Sequence, residues 1–198
     1  MAFCLRPRHA PPNMADKPDM RETLLPEELV SLARRVIEAN SALGRRIAVA
    51  ESCTGGLVSA ALTEIPGSSA TFEAGFVTYS NPLKTKLLGV SEDVLETFGA
   101  VSIATAWAMA QGALVRSDAD IAVSITGIAG PEGGSEMRPV GTVVFARAEK
   151  GNESENVVAD LRRFPDNGRA GIRLQAALCA LELLLPDGGE GLPAGDVP

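Results

Sequence analysis

The chain has 198 residues, of which 45% are hydrophobic and 22% are charged, and its formal net charge is −7. This length and apolar content suffice for one domain with a sizeable core. The excess of 25 acidic over 18 basic residues argues against a nucleic-acid-binding surface. No apolar run is long enough to cross a bilayer. We therefore expect neither a nucleic-acid partner nor a membrane partner.

The number of histidines and the spacing of the cysteines limit which catalytic groups, metal ligands and disulfides the folded part can contain. The single histidine, His9, lies in residues 1–21, a stretch of scattered charges and prolines that is not a secretory signal and that we expect to be a disordered tail. Histidine-based catalysis and metal ligation are therefore excluded from the folded body. Cys4, Cys53 and Cys179 lie far apart and give no disulfide framework, which predicts a cytoplasmic protein.

Helix and strand patterns alternate along residues 22–185, which we interpret as the folded domain, and a second disordered tail is expected over 186–198. Apolar residues at helical spacing predict a first helix over 26–42. The later predicted elements are a strand over 46–50, a helix from 57, a strand over 72–79, a short helix over 81–88, helices capped by Ser91 and by Ser102, strands over 121–126, 138–145 and 157–164, and a last helix over 168–185. This order predicts a three-layer α/β/α sandwich, with a mostly parallel sheet and an antiparallel hairpin edge.

A strand-to-helix turn, Ala50-Glu51-Ser52-Cys53-Thr54-Gly55-Gly56, is the first candidate for function. Such a turn lifts the Ser52 hydroxyl above the sheet edge and aims unpaired backbone N–H groups of the new helix at a ligand. Its two glycines also permit close approach of a ligand to the backbone. On this heptapeptide alone, a helix-capping function for Ser52 or Thr54 is the more common interpretation.

Lys84 is the second candidate, in the segment Tyr79-Ser80-Asn81-Pro82-Leu83-Lys84 that follows the second predicted strand. Ser80 or Asn81 is a natural N-cap and Pro82 suits the first helical position, which puts Lys84 in the first turn. A cation is unfavourable there by roughly 0.3–1 kcal/mol. Partial burial would lower the pKa of this lysine towards that of a useful base. A solvated surface lysine is the alternative. Because the folded body has no histidine to act as a base, the catalytic interpretation of Lys84 gains support.

Further candidates occupy neighbouring strand ends. The glycine-dense loop 127–134 either forms a nest for a phosphate or carboxylate or is an ordinary flexible loop. Because three candidate segments each follow a strand, we expect them to share one rim of the sheet. The single residues have alternatives too. Tyr79 either stacks on a ring or orients a proton, or it is an edge aromatic, and Glu51 either binds a ligand hydroxyl or is a charge at the rim. Cys53 is an alternative nucleophile, but no imidazole is near to generate a thiolate, and we interpret it as a packing residue. Arg163, Arg169 and Arg173 either reach a phosphate or pair with surface carboxylates.

Four motifs occur in order: Ala50-Glu51-Ser52-Cys53-Thr54-Gly55-Gly56, Tyr79-Ser80-Asn81-x-x-Lys84, Gly127-Ile128-Ala129-Gly130-Pro131-x-Gly133-Gly134 and Pro139-Val140-Gly141-Thr142-Val143. Together they closely resemble the CinA C-terminal domain family of competence/damage-inducible proteins, PncC type, over about residues 27–185. The chain departs from the family pattern over 164–173, where it is one residue longer and lacks a Gly-Asp pair, and at Arg138, where lysine is usual.

The resemblance implies a bacterial nicotinamide-nucleotide amidohydrolase, which converts nicotinamide mononucleotide into nicotinate mononucleotide and ammonia in pyridine nucleotide recycling. It implies Ser52 as the nucleophile and Lys84 as its partner. We expect Ser–Lys acyl transfer that needs no metal or cofactor, with Tyr79 assisting and the oxyanion held by backbone N–H groups of 54–56 or 127–130. The residues expected to bind this small pyridine nucleotide are Glu51, Thr54, Gly55, Gly56, Asn81, Thr126, Gly127, Ala129, Gly130 and Arg169.

The expected assembly is a homo-oligomer, as is common for α/β domains of this size with apolar helices. Two other functions stay open at this point. One is a catalytically silent nucleotide-binding or regulatory module of the same family. The other is a hydrolase that acts on a related amide or on a phosphoanhydride, and a strict need for a divalent metal would indicate the phosphoanhydride.

Overall fold

A computed structural model describes residues 23–151 and 158–186. The tail predicted over 1–21, with His9 and Cys4, lies outside this part, and so does the tail predicted over 186–198 except Pro186. The described elements are α1 (Glu27–Ala42), β1 (Ile47–Glu51), α2 (Leu57–Thr63), β2 (Phe72–Val77), α3 (Asn81–Leu88), α4 (Glu92–Phe98), α5 (Ile103–Val115), β3 (Ile121–Gly127), β4 (Thr142–Glu149), β5 (Val158–Arg163) and α6 (Gly168–Leu184).

The five strands form one sheet in the order β2-β1-β3-β4-β5. β1 pairs in parallel with both β2 and β3, whereas the β3–β4 and β4–β5 pairs are antiparallel. The predicted α/β fold with a hairpin edge is thus confirmed, but the sheet is mixed rather than mostly parallel. The reason lies in the connection after β3, because the loop 128–141 returns the chain without the crossover helix that a parallel neighbour needs.

Helices cover both faces of the sheet, as the three-layer prediction requires. One core joins the sheet to α1, α2 and α6 through side chains such as Leu29, Leu62 and Leu181, all fully buried. On the opposite face, α3, α4 and α5 pack through residues that include Leu88 and Met109. Among the described residues no helix has both the length and the apolar character needed to cross a membrane.

The start of β4 differs from the prediction by four residues, since the strand begins at Thr142 rather than at Arg138. The preceding residues form a turn, in which the Thr142 N–H donates to the Pro139 carbonyl oxygen over 3.1 Å. Pro139 has no N–H to give to a sheet, and Gly141 adopts a φ of +93° that favours glycine. Of the β-branched residues that suggested a longer strand, Val140 therefore lies in the turn, whereas Thr142, Val143 and Val144 lie in β4.

The predicted caps of α4 and α5 are confirmed. Ser91 Oγ accepts the Val94 N–H over 3.2 Å, and Ser102 Oγ accepts the Thr105 N–H over 3.2 Å. Each hydroxyl satisfies a backbone donor that the first helical turn leaves open. The region between these two helices is thereby fixed beside the carboxyl end of β3, where Thr126 Oγ1 donates to the Ala100 carbonyl oxygen over 2.7 Å.

Candidate active site

The carboxyl ends of β2, β1 and β3 lie side by side and carry the candidate segments to one rim. The Ser52 N–H donates to the Ile125 carbonyl oxygen of β3 over 2.9 Å, and the Thr78 N–H donates to the Glu51 carbonyl oxygen over 2.8 Å. Ser52 therefore lies between the residues that follow β2 and those that end β3. This is the edge at which ligands bind in open α/β sheets.

The side chains of Ser52 and Lys84 meet at this rim. Lys84 Nζ lies 3.1 Å from Ser52 Oγ and 2.9 Å from the Thr78 carbonyl oxygen, to which it donates a hydrogen bond. Lys84 is only 1% exposed and Ser52 is 8% exposed. The two residues come from different elements, since α3 carries the lysine and the turn after β1 carries the serine. The first turn of α3 thus places the buried amine of Lys84 in contact with the Ser52 hydroxyl.

Burial lowers the pKa of Lys84 below its ordinary value of 10.5, because the charged form loses its hydration. None of the ion pairs among residues 23–151 and 158–186 involves this lysine, so no carboxylate offsets that cost. Its nearest polar partners are a neutral hydroxyl and a neutral carbonyl. These surroundings favour an uncharged amine, whose lone pair can accept a proton.

Cys53 is 6% exposed and belongs to the core shared with α1, α2 and α6. Its burial raises the pKa of the thiol to about 11, and the carboxylate of Glu51 acts in the same direction. The thiolate is the reactive form of cysteine. The structure therefore places an unreactive packing side chain next to Ser52, in agreement with the sequence interpretation.

Glu51 is fully buried, so the alternative that it is a charge at the rim is wrong. Its Oε2 accepts the N–H groups of Gly56 over 2.9 Å and of Val58 over 3.2 Å. Its Oε1 accepts from Ser59, both from the N–H over 2.9 Å and from Oγ over 2.7 Å. The carboxylate that was expected to bind a ligand hydroxyl thus faces the start of α2.

Neither Ser52 nor Thr54 caps α2, so the capping interpretation of these two residues is also wrong. The N-cap position is occupied by Gly56, with a φ of +92° and no side-chain cap of its own. The preceding Gly55 has a φ of +61°. Positive φ at consecutive residues is tolerated by glycine, and it lets the chain turn sharply enough for Glu51 to reach the helix it precedes. The Ser52 hydroxyl is therefore left available for Lys84.

Thr54 is fully buried, and its hydroxyl has no hydrogen-bond partner among the described residues. Its carbonyl oxygen accepts from a terminal nitrogen of Arg173 over 2.7 Å, which ties the turn to α6. The Gly55 N–H is bonded to the Ser52 carbonyl oxygen over 3.1 Å, and the Gly56 N–H to Glu51. Of the three backbone N–H groups over 54–56, only that of Thr54 takes part in no hydrogen bond between described residues.

The loop after β3 lies on the other side of Ser52. Thr126 is 1% exposed and its hydroxyl is engaged with Ala100, while Ala129 packs into the core at 4% exposure. The Gly130 carbonyl oxygen accepts from one terminal nitrogen of Arg169 over 2.8 Å. Residues 131–137 are exposed. Gly127 and Gly130 therefore stand where the chain leaves the sheet, and the solvent-facing part of the loop follows them.

Arg169 joins two of the three rim segments, the loop after β3 and the segment that follows β2. Its other terminal nitrogen donates to the hydroxyl of Tyr79 over 3.0 Å, and Tyr79 itself is 60% exposed. No ion pair among the described residues involves Arg169, Arg173 or Arg163, so the alternative of surface pairing with carboxylates is not observed. Asn81 is exposed at the start of α3. The guanidinium of Arg169 keeps an uncompensated charge at the mouth of the site.

Two features of the site had little signal in the sequence. The Thr78 carbonyl oxygen that accepts from Lys84 is a backbone group, so the residue type at this position does not indicate it. Arg173 follows Arg169 at a spacing of one helical turn, which suggested a common ligand, yet its guanidinium contacts the Ser52 turn instead. No three His, Cys, Asp or Glu side chains of 23–151 and 158–186 converge as a metal site.

The fold and site define a three-layer α/β protein with a buried Ser–Lys pair at the carboxyl edge of its parallel strands. A family model described as the CinA C-terminal domain matches residues 29–187. The chain belongs to this family, as its motifs indicated. It is 48% identical over 159 residues to a protein of Enterobacter agglomerans named nicotinamide-nucleotide amidohydrolase PncC, which covers 80% of this chain and 94% of that protein.

A second relative and a solved structure show the same similarity. A protein of the same name from Escherichia coli K12 is 48% identical over 157 residues, with 79% of this chain and 93% of that protein covered. Among solved structures, the competence/damage inducible protein CihA from Agrobacterium tumefaciens superposes with a TM-score of 0.78 at 51% identity, over 82% of this chain and 96% of that one. The similarity thus extends over nearly the full length of each of these relatives.

Proposed function

We propose that this protein is an amidohydrolase that converts nicotinamide mononucleotide and water into nicotinate mononucleotide and ammonia, by acyl transfer through Ser52 and Lys84. The observation that carries the proposal is the buried amine of Lys84, 3.1 Å from Ser52 Oγ and without a carboxylate partner among the described residues. The names of the relatives supply the substrate class. A serine activated by a neutral lysine is a known solution for attack on amide carbonyls.

In the first half-reaction, the lone pair of Lys84 Nζ accepts the proton of Ser52 Oγ, which attacks the carboxamide carbon. The resulting tetrahedral oxyanion needs backbone donors near the nucleophile, and within 54–56 the Thr54 N–H is the group left open for it. The lysine ammonium then gives its proton to the departing amine, and ammonia leaves. The Thr78 carbonyl oxygen holds Nζ in line throughout.

In the second half-reaction, water takes the place of ammonia beside Lys84. The neutral amine accepts a proton from this water as the oxygen attacks the acyl carbon, and the ammonium returns that proton to Ser52 Oγ as the ester bond breaks. The products are nicotinate mononucleotide and regenerated Ser52. The balance requires only one water molecule, and each proton step uses the same nitrogen.

The nucleotide phosphate binds beside Arg169 in this proposal. Its guanidinium has no carboxylate partner among the described residues and is aimed by Tyr79 and by the Gly130 carbonyl. A planar, oriented guanidinium suits a phosphate group. The exposed ring of Tyr79 and the side chain of Asn81 flank the entrance, next to the pyridine. In this proposal the ribose lies against the backbone of Gly127 and Gly130, between the two ends.

The proposal also includes a homo-oligomeric assembly, a cytoplasmic location and the absence of a nucleic-acid partner. The exposed apolar side chains of Leu83 and Leu87 on one side of α3 support association between copies, because apolar patches of this kind mark contact surfaces. The net charge of −7 supports the lack of nucleic-acid binding. The isolated cysteines support a reducing compartment.

Ammonia release from nicotinamide mononucleotide tests the catalytic pair. We expect Ser52→Ala and Lys84→Ala each to lower kcat/KM at least about 1,000-fold. Matched controls are Ser80→Ala and Lys86→Ala, which remove an exposed serine and an exposed lysine of the same region and leave the rate within about twofold of wild type. Wild-type rates in either alanine variant of the pair would remove that residue from the mechanism.

The same assay separates the competing functions. A silent binding module would be stabilised by nicotinamide mononucleotide against heat without any release of ammonia. A phosphoanhydride hydrolase would act on a nucleoside diphosphate only when a divalent metal is added. The proposal requires ammonia release in the presence of a chelator.

A further inference from the structure

The internal carboxylate of Glu51 is the feature that the catalytic scheme leaves unused. It is fully buried, lies next to the nucleophile in the chain and accepts all its hydrogen bonds from the start of α2. We propose that Glu51 is a positioning residue for Ser52: its carboxylate binds the start of α2 to the end of β1 and so fixes the Ser52 turn that lies between them.

The contacts match the chemistry of a carboxylate. An ionised glutamate only accepts hydrogen bonds, with two sites on each oxygen. Here each oxygen receives two donors, from Gly56 and Val58 on Oε2 and from the N–H and Oγ of Ser59 on Oε1. Each accepting position of the carboxylate is therefore matched by a hydrogen-bond donor. A glutamine has the same shape, but in either orientation its NH₂ group faces two of these donors.

The position of residue 51 links both members of the reacting pair. Its side chain holds α2, its own carbonyl oxygen accepts the Thr78 N–H, and the Thr78 carbonyl oxygen accepts from Lys84. Ser52 follows directly in the chain. A shift of the turn by a fraction of an ångström changes the distance between Ser52 Oγ and Lys84 Nζ, and such misplacement is costly for the chemical step.

The neighbouring strand β2 leaves space for the contact between Ser59 and Glu51. A Cβ atom added at Gly75 of β2 would collide with Ser59 Oγ, the hydroxyl that donates to Glu51. Gly75 has ordinary strand geometry rather than a positive φ, so backbone conformation does not explain the glycine. The missing side chain instead leaves space for the Ser59 hydroxyl. This packing is an observation independent of the hydrogen bonds themselves.

The test, which rests on the proposed function, compares Glu51→Gln with Glu64→Gln at the other end of the same helix. We expect Glu51→Gln to lower kcat about 10- to 100-fold and to leave KM for nicotinamide mononucleotide within about twofold. The apparent pKa in the pH dependence of kcat stays that of wild type, because Lys84 remains the base. Glu64→Gln, a matched removal of one charge, leaves kcat and KM unchanged.

Two results would overturn the inference. A rise in KM with wild-type kcat in Glu51→Gln would make Glu51 a substrate-binding residue, and unchanged values of both would remove it from the reaction. Ser59→Ala serves if Glu51→Gln does not fold. It takes away only one donor to the carboxylate, and we expect kcat to fall about two- to fivefold at constant KM, with the wild-type value contradicting the inference.

Two readouts that do not depend on the substrate separate this inference from the proposed function. Amide hydrogen exchange at Gly56, Val58 and Ser59 is expected to quicken at least about tenfold in Glu51→Gln, and unchanged exchange would contradict the positioning role of Glu51. Labelling of Ser52 Oγ by a fluorophosphonate, with release of fluoride, is expected to slow by the same factor as kcat. If the wild-type protein is labelled at Ser52 but releases no ammonia, nicotinamide mononucleotide is not the substrate. The exchange and labelling rates of Glu51→Gln, compared with wild type, then decide whether Glu51 positions Ser52.

Discussion

The turn that holds Ser52 and the loop that follows β3 are both rich in glycine, and they are built in opposite ways. In the turn, residues 51–54 are buried, and the backbone is tied to the strands on both sides, to α2 through Glu51 and to α6 through Arg173. In the loop, residues 131–137 are exposed, and Arg169 holds the Gly130 carbonyl from outside. The two regions face each other across the rim.

This difference separates two tasks of one site. A nucleophile and its base must be held within a fraction of an ångström, which buried contacts on several elements provide. A nucleotide must enter and leave, which suits the exposed residues that follow Gly130. We therefore expect changes in the turn to act on kcat, and changes around the loop to act on KM.

The largest expected effect belongs to Lys84→Met. The variant keeps an apolar stem of similar length but loses the amine, so kcat/KM should fall at least about 1,000-fold. Because the folded protein no longer buries the amine of residue 84, its free energy of unfolding at neutral pH should rise by about 1 kcal/mol. Activity assays and denaturant unfolding of the purified variant check the two expectations. A variant that is both inactive and strongly destabilised would contradict the division of tasks at this residue.

The pH dependence of that stability has a definite sign. Burial lowers the pKa of Lys84 in the folded protein, so between this lowered value and 10.5 the unfolded chain binds more protons. The free energy of unfolding of wild type therefore rises with pH across this window and is lowest below it. Lys84→Met lacks this contribution. Parallel curves for the two proteins would contradict it.

A smaller effect, on binding, is expected for Arg169→Met. Loss of a charged hydrogen bond to phosphate costs about 1.5–3 kcal/mol, so KM for nicotinamide mononucleotide should rise about 10- to 100-fold while kcat changes little. Nicotinamide riboside, which lacks the phosphate, provides the control, because its turnover should be equal in wild type and variant. Equal losses on both substrates would place Arg169 in the chemical step instead.

The smallest effect on activity is expected for Cys53→Ala, although this residue adjoins the nucleophile. Its thiol has a pKa of about 11 and is buried, so it supplies no thiolate at neutral pH. We expect kcat/KM within about threefold of wild type and a loss of about 1 kcal/mol of stability from the smaller side chain. A loss of activity as large as that of Ser52→Ala would show that the thiol takes part in the reaction.

Much of the fold was predictable because its signals are local. Hydrophobic periodicity gave the helices and strands, and the caps at Ser91 and Ser102 followed from residue type. The parallel share of the sheet was overestimated, because the direction of β4 depends on a connection without helix. The start of β4 was misplaced because β-branched residues in a turn resemble a strand until the positive φ of Gly141 is known.

The candidate site was predictable for a different reason. Ser52 and Lys84 were selected by their places at strand ends and by the lack of a histidine, and both places depend on chain order alone. The direction of the Glu51 side chain was not predictable, because a carboxylate beside a nucleophile suggests a ligand contact. The two glycines fold the chain back so that Glu51 reaches α2, and no local sequence pattern indicates this.

The proposed reaction requires that the amine of Lys84 is uncharged when it meets the Ser52 hydroxyl. An NMR titration of the Lys84 side chain, with Ser52→Ala as the reference protein lacking the reaction, measures this directly. We expect a midpoint below the ordinary 10.5, coincident in wild type with the acidic limb of the pH dependence of kcat/KM. A midpoint at or above 10.5, in an enzyme that is fully active at neutral pH, would contradict it.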